Sequence, residues 1–302
     1  MARGEQNPQV TNESTIEEAI KHLELFKDRD VNLSPLSGGS MNGVFLAQMG
    51  DERYVIRKPG SKSDVLGMDR LSERYNAEIA AETGVAPRII EYLDGSDVMV
   101  LEHIEGTVPV AEDLHSPEQV RRMADSCSRL HAGSRFINDF DMYRKVENWL
   151  HVCNERAIPL PDGFNERMAL VSEAARSLGA RAMPTVPCHN DLAPYNFIDD
   201  GHQLWIIDFE FSGNNDPCND LGGLASEAEL SEELRVLLCE EYFGEATPRL
   251  LARMTLHNLV AMVGWMLFCA IHSYSEGVAL YWSAAIDGLD SEELPTLLRD
   301  AL

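Results

Sequence analysis

The sequence predicts an α+β fold of two lobes, a small N-terminal lobe built on an antiparallel sheet with a helix and a larger, mainly helical C-terminal lobe. Three observations carry this. Apolar residues alternate with a period of two around glycine turns in the first third of the chain. From about Gly106 onward they recur mostly at helical spacing. The 302 residues, 44% of them apolar, are enough for a substantial buried core. The expected division is a loose tail over residues 1–13, a first lobe over 14–105 and a second over 106–302, with a hinge in LEHIEG at 101–106.

The elements follow in order. In STIEEAIKHL, Ser14 or Thr15 caps a helix with Glu17 and Glu18 in its first turn. Val44 and Leu46, a turn at Gly50–Asp51, then Tyr54 and Ile56 make a β-hairpin that follows a glycine turn. RLSERYNAEIAAETG reads as a helix with Leu71, Tyr75 and Ile79 on its apolar face and Gly84 at its C-terminal cap. Two apolar runs around Asp94–Gly95 form a second hairpin. Ser116 as N-cap and Pro117 as first residue open a helix with Val120, Met123, Cys127 and Leu130 on one side. KVENWLHVCNERA and GFNERMALVSEAARSLG are two further helices, and the chain after a later hairpin is mostly helical.

Charge excludes some functions. Against 25 Lys and Arg stand 50 Asp and Glu, a formal charge of −25, which repels nucleic acid and anionic membranes and favours cationic partners. Six cysteines without a C-x-x-C pair, Cys269 and His272 lacking a second pair of ligands, argue against zinc and disulfides and fit a reducing cytoplasm. The polar start, MARGEQNPQVTNES, has no apolar core of a signal peptide. The apolar run at 259–271, 13 residues, is too short to cross a bilayer and reads as a buried helix. A soluble, cytoplasmic protein is expected.

The chemistry concentrates in CHNDLAPYNFIDDGHQLWIIDFE, which begins at Cys188. NFI and LWII pair as a hairpin across Asp200–Gly201, which brings Asn196 close to Asp208 and leaves Asp191 on the loop leading in. A hard divalent cation takes one carboxylate, one amide carbonyl and the phosphates of a nucleotide. Phosphoryl transfer in kinases uses these parts: an Asp that accepts the hydroxyl proton, an Asn five residues on and a second Asp beyond a hairpin that hold magnesium. His189 is expected to brace the loop rather than react. In the small lobe, GGSMNG can lie over phosphates. Strand alternation turns Arg57 towards a nucleotide cleft, with Lys58 on the opposite face and Glu78 as the partner of Arg57.

The stretches GGSMNGVFLA, YVIRKPG, NAEIAAETGVAPRI, SRLHAG, HNDLAPYNFI and IIDFEFSGNNDPCNDLGGLASE resemble the choline/ethanolamine kinase family, within the aminoglycoside-phosphotransferase-like and protein-kinase-like enzymes. The likeness spans roughly residues 31–227 and implies a two-lobed kinase fold that uses ATP and Mg2+ to phosphorylate a small alcohol. On this resemblance Asp191 is the base and also meets the substrate, Asn196 and Asp208 hold magnesium, and Glu210 assists. Gly38, Gly39, Ser40 and Asn42 lie over ATP, Arg57 paired with Glu78 anchors its phosphates, and Glu102 and Ile104 of the hinge complete its site. Asp216 and Asp220 brace the loop, and Glu227 lies at the cationic substrate. A quaternary ammonium needs aromatic faces and carboxylates, and Trp265 and Tyr281, from the aromatic-rich segment near the end of the chain, are the expected walls. The implied partners are ATP and a cationic alcohol, for a monomer or homodimer. The acceptor is choline or ethanolamine, or alternatively an aminoglycoside or another cationic alcohol such as thiamine. A non-catalytic protein of the same fold would not need Asp191.

Overall fold

The computed structural model describes residues 15–36, 42–60 and 69–302. Thr15 and Glu18 form a reciprocal cap on a short helix, α1 (Ile16–Ile20). Four strands of the first lobe follow the hairpins read from the sequence: β2 (Asn42–Met49) with β3 (Glu52–Pro59), and β4 (Ile89–Leu93) with β5 (Val98–Glu102). A fifth, β1 (Asn32–Pro35), was not anticipated; it is short, mostly exposed and ends in proline, as suits an edge strand. The antiparallel order is β1-β2-β3-β5-β4. One face buries Ala47, Met49, Ile56, Val98 and Val100 against Ile16, Ala19, Leu23 and Phe26. Alternation then turns Arg57, which is opposite Met99 in register, to the other face.

Helix α2 (Arg70–Glu82) forms as read, with Asp69 as its cap, but the N-terminal part of its apolar stripe faces outward. Leu71 and Tyr75 are 69% and 45% exposed, whereas Glu73, Asn76, Ala77 and Ala80 are buried. The helix packs where polar groups find partners: Asn76 donates to the Asn138 side chain at 2.8 Å and to the Ser212 carbonyl at 3.2 Å, and accepts from the Ile137 amide. Of the apolar stripe Leu71, Tyr75 and Ile79, only Ile79 joins the core.

The second lobe opens with α3 (Pro117–His131), capped by Ser116, with Val120, Met123, Cys127 and Leu130 fully buried as expected. It continues through α4 (Met142–Glu155), α5 (Phe164–Ala180) and four three-residue strands, β6 (Val186–Cys188), β7 (Phe197–Asp199), β8 (Leu204–Ile206) and β9 (Gly213–Asn215), with β6 pairing β9 and β7 pairing β8. Five further helices follow: α6 (Pro217–Glu227), α7 (Glu232–Phe243), α8 (Pro248–Ile271), α9 (Ser275–Leu289) and α10 (Leu294–Asp300). One core joins α3, α6, β7 and β8 through Met123, Leu130, Phe197, Leu204 and Leu221. The other surrounds α8 with Trp149, Phe211, Trp265 and Trp282.

The apolar run at 259–271 belongs to this 24-residue α8, so its length does not exclude a membrane span. Its burial identifies it as a core helix: its most apolar stretch has a mean hydropathy of 1.7 and is 72% buried within the protein. Gly222 lets α6 and α8 cross closely, since a Cβ there would stand 2.1 Å from the Met254 carbonyl oxygen.

Candidate active site

The loop from β6 to β7 is built around Asp220, which is buried on α6. Its carboxylate accepts the backbone N–H groups of His189 and Asn190 at 2.7 and 2.6 Å, and His131 lies 3.0 Å from it. Asn190 takes a left-handed φ of 68° that an Asn tolerates, and its side chain donates to the Phe211 carbonyl at 3.0 Å. His189 places Nε2 2.9 Å from the Ile207 carbonyl, while Nδ1 accepts the Asp191 N–H at 3.3 Å. Burial holds its pKa below the ordinary histidine value, so a neutral imidazole ties the two acidic loops together. Asp216 caps α6 and is gripped by Arg253. These residues brace the loop.

The turn at Asp200–Gly201 closes the hairpin, with Asp199 opposite Leu204 and Gly201 at φ 86°. The Ile207 N–H then donates to the Asn196 carbonyl at 3.0 Å, which sets Asn196 beside the approach to Asp208. Asn196 donates Nδ2 to the Asp191 carbonyl at 2.8 Å, fixing the amide so that its oxygen is the atom left for a ligand. Asp208 has a left-handed φ of 68°, a costly conformation for a non-glycine residue. Its carboxylate, the Asn196 amide oxygen and Glu210 are hard oxygen donors, and this donor set fits magnesium. Burial, followed by the charges of Asp208, Glu210 and Glu227, raises the Asp191 pKa well above the usual carboxylate range.

Arg57 is 5% exposed and ties the lobes together. It pairs with Glu73 on α2, donates to Asp208 at 2.7 Å and reaches Glu210 at 3.1 Å. The expected partner Glu78 is instead on the outer face of α2, bonded to Arg74 at 3.0 Å. This correction has the same cause as the outward-facing part of the apolar stripe: Glu78 lies on the side of Leu71 and Tyr75, and Glu73 on the side of Ala77 and Ala80. Glu210 Oε2 also accepts from Asn42 at 3.0 Å and lies 3.4 Å from Arg70, leaving its other oxygen for a metal. Gly38, Gly39 and Ser40 lie outside the described residues.

Between the lobes, Met99, Leu101, Ile207 and Phe209 line a small cavity of about 40 Å³, with Arg57, Glu73 and Asp208 at its polar end. This is far below the roughly 300–1,000 Å³ of small-molecule pockets. Glu102 is bonded to Arg88 through both its side chain and its backbone, accepting from the guanidinium at 2.9 Å and donating its N–H to the Arg88 carbonyl at 2.9 Å, and Ile104 is half-buried in the hinge.

Burial raises the Tyr281 pKa, and Glu227 and Asp191 add to the shift. Partial burial, then Asp191, Tyr281 and Glu227, raise that of Tyr195. These four groups are mutual neighbours. Tyr195, half-exposed in the same octet as Asp191 and Asn196, is the residue that the sequence reading missed; its place one residue before Asn196 was the available signal. Trp265 lies in the aromatic core, with its ring 5.0 Å from Phe211 and 6.2 Å from Trp149. It anchors the residue that follows Glu210.

A sheet lobe over a helical lobe, with a His-Asn-Asp loop and an Asp-Phe-Glu loop meeting between them, defines the class of small-molecule kinases. The chain belongs to the phosphotransferase enzyme family, whose sequence profile matches residues 32–254. It is 26% identical over 272 residues to protein LicA of Haemophilus influenzae, covering 85% of this chain and 79% of that protein. The crystal structure of a choline/ethanolamine kinase family protein from Mesorhizobium loti superposes with a TM-score of 0.83 at 26% identity, over 94% of this chain and 98% of the other. Choline kinase LicA from Streptococcus pneumoniae shares the fold, with a TM-score of 0.80 at 21% identity over 92% and 99% of the two chains. The protein is therefore a phosphotransferase enzyme whose structure is similar to those of choline/ethanolamine kinases.

Proposed function

We propose that the protein transfers the γ-phosphoryl group of ATP to the hydroxyl of choline or ethanolamine. The observation that carries this is the neighbourhood of Asp191, which holds Glu227, Tyr195 and Tyr281 together with Asp208 and Glu210. A cationic head against the two tyrosines and Glu227 would present its hydroxyl to Asp191. The cation's charge offsets the carboxylates and keeps Asp191 ionised, ready to accept the hydroxyl proton. Asn196 orients the Asp191 loop through its amide N–H, and Arg57, released from Asp208 and Glu210, would meet the phosphates. Magnesium, held by Asp208 and Asn196 with Glu210 assisting, would neutralise charge on the β- and γ-phosphates. The six buried, unpaired cysteines fit a cytoplasmic setting.

The reading is tested by supplying MgATP with choline, ethanolamine, thiamine and an aminoglycoside in parallel and comparing kcat/KM. Choline or ethanolamine should lead. Preference for the aminoglycoside, which carries several ammonium groups, would reassign the acceptor, and no phosphorylation of any amino alcohol would defeat the kinase assignment.

A further inference from the structure

Two arginines are buried where the lobes meet, and the protein satisfies them unequally. Arg57 is surrounded by Glu73, Asp208 and Glu210. Arg70, the first residue of α2, has a side chain that is 10% exposed and donates through Nη1 to Glu73 Oε2 at 2.6 Å, with Glu210 Oε2 at 3.4 Å. Its Nε and Nη2 are buried and have no hydrogen-bond partner among the described residues. Buried charged donors without acceptors are costly, and a structure that keeps them calls for a ligand. A guanidinium edge matches the paired oxygens of a carboxylate or phosphate. Glu73 and Glu210 already occupy Nη1, so the described residues offer the remaining donors no anion.

We propose that the unoccupied donors of Arg70 take a phosphate oxygen of the nucleotide, which makes Arg70 a second phosphate-holding residue beside Arg57. This rests on the kinase reading. Division of labour follows from the geometry: Arg57 must break bonds to Asp208 and Glu210 to reach a phosphate, whereas Arg70 can accept one while still holding Glu73. The first turn of α2 adds its dipole in the same sense, favouring negative charge.

The test compares ADP with adenosine, which lacks phosphate, by calorimetric titration of the full chain. Arg70→Gln should weaken ADP binding on the order of ten- to a hundredfold and leave adenosine binding unchanged, because a charge-assisted hydrogen bond is lost. Arg70→Lys, which keeps the charge without the fork, should fall between and guards against a glutamine variant that folds poorly. If both variants bind ADP like the wild type, or lose ADP and adenosine equally, Arg70 is only a structural tie and the inference fails alone. A wild-type protein that binds neither compound would overturn the kinase reading together with it.

Discussion

Arg57 and Glu73 form a buried ion pair that joins β3 to the first turn of α2, while Glu78, on the same helix, pairs with Arg74 at the surface. Removing one partner of a buried pair leaves an uncompensated charge, which costs about 3–5 kcal/mol. Here Glu73 serves both Arg57 and Arg70. Glu73→Gln should therefore lower unfolding free energy in urea by that order, and Glu78→Gln by no more than about 1 kcal/mol. Equal losses would return Glu78 to the cleft.

Asp191 pays for its position in stability. Burial and the surrounding carboxylates raise its folded-state pKa, so its ionisation opposes folding. The opposition is absent at low pH, where the carboxyl is protonated in both states, and grows as pH rises past the unfolded pKa. Asp191→Asn should stabilise the ligand-free protein by about 0.5–2 kcal/mol at pH 8. Its advantage over the wild type should shrink on acidification. Thermal unfolding across pH measures this, and a destabilised variant at pH 8 would contradict it.

Arg122 grips Asp199, which pairs with Leu204 at the end of the β7–β8 hairpin and bridges Thr107 beyond the hinge. Its hydrogen bonds are the main reason that the Asp199 pKa is lowered to about 2. A depressed folded-state pKa contributes stability above the unfolded value, near 3.8, and loses it as pH falls through about 2. Arg122→Met should be destabilised by about 1–2 kcal/mol at pH 7. The gap from wild type should close between pH 4 and 2, as followed by acid unfolding; a pH-independent gap would assign the loss to packing alone.

Adjacent glycines on α6 should respond in opposite directions. A methyl at Gly222 meets the Met254 carbonyl, whereas Gly223 has nothing within 4 Å. Gly222→Ala should cost about 1–3 kcal/mol through overpacking. Gly223→Ala should gain roughly 0.5–1 kcal/mol from helix propensity. Chemical denaturation of the two variants separates crossing geometry from propensity.

The sequence made some of this legible and hid the rest for physical reasons. The hairpin at Asp200–Gly201 and the face of α3 were readable because turn chemistry and apolar spacing are local signals. The orientation of α2 was not, because it buries Glu73, Asn76 and small alanines against polar partners, while Leu71 and Tyr75 remain exposed. Hydrophobic periodicity assumes an apolar core, and the cleft is not one. The strand pair β6–β9 was equally hidden, since only tertiary structure brings Val186 opposite Asn215 and Cys188 opposite Gly213. Tyr195 was overlooked beside the acidic residues of its loop, and Trp265 shows that an aromatic at helical spacing can serve the core.

The most direct test of the central claim is transfer of labelled γ-phosphate from ATP to choline and ethanolamine by the wild type and by Asp191→Asn in parallel. The account predicts transfer by the wild type and a rate lower by about 10²–10⁴ in the variant, with the fold retained. A wild type that transfers to neither alcohol, or a variant with undiminished rate, would contradict it.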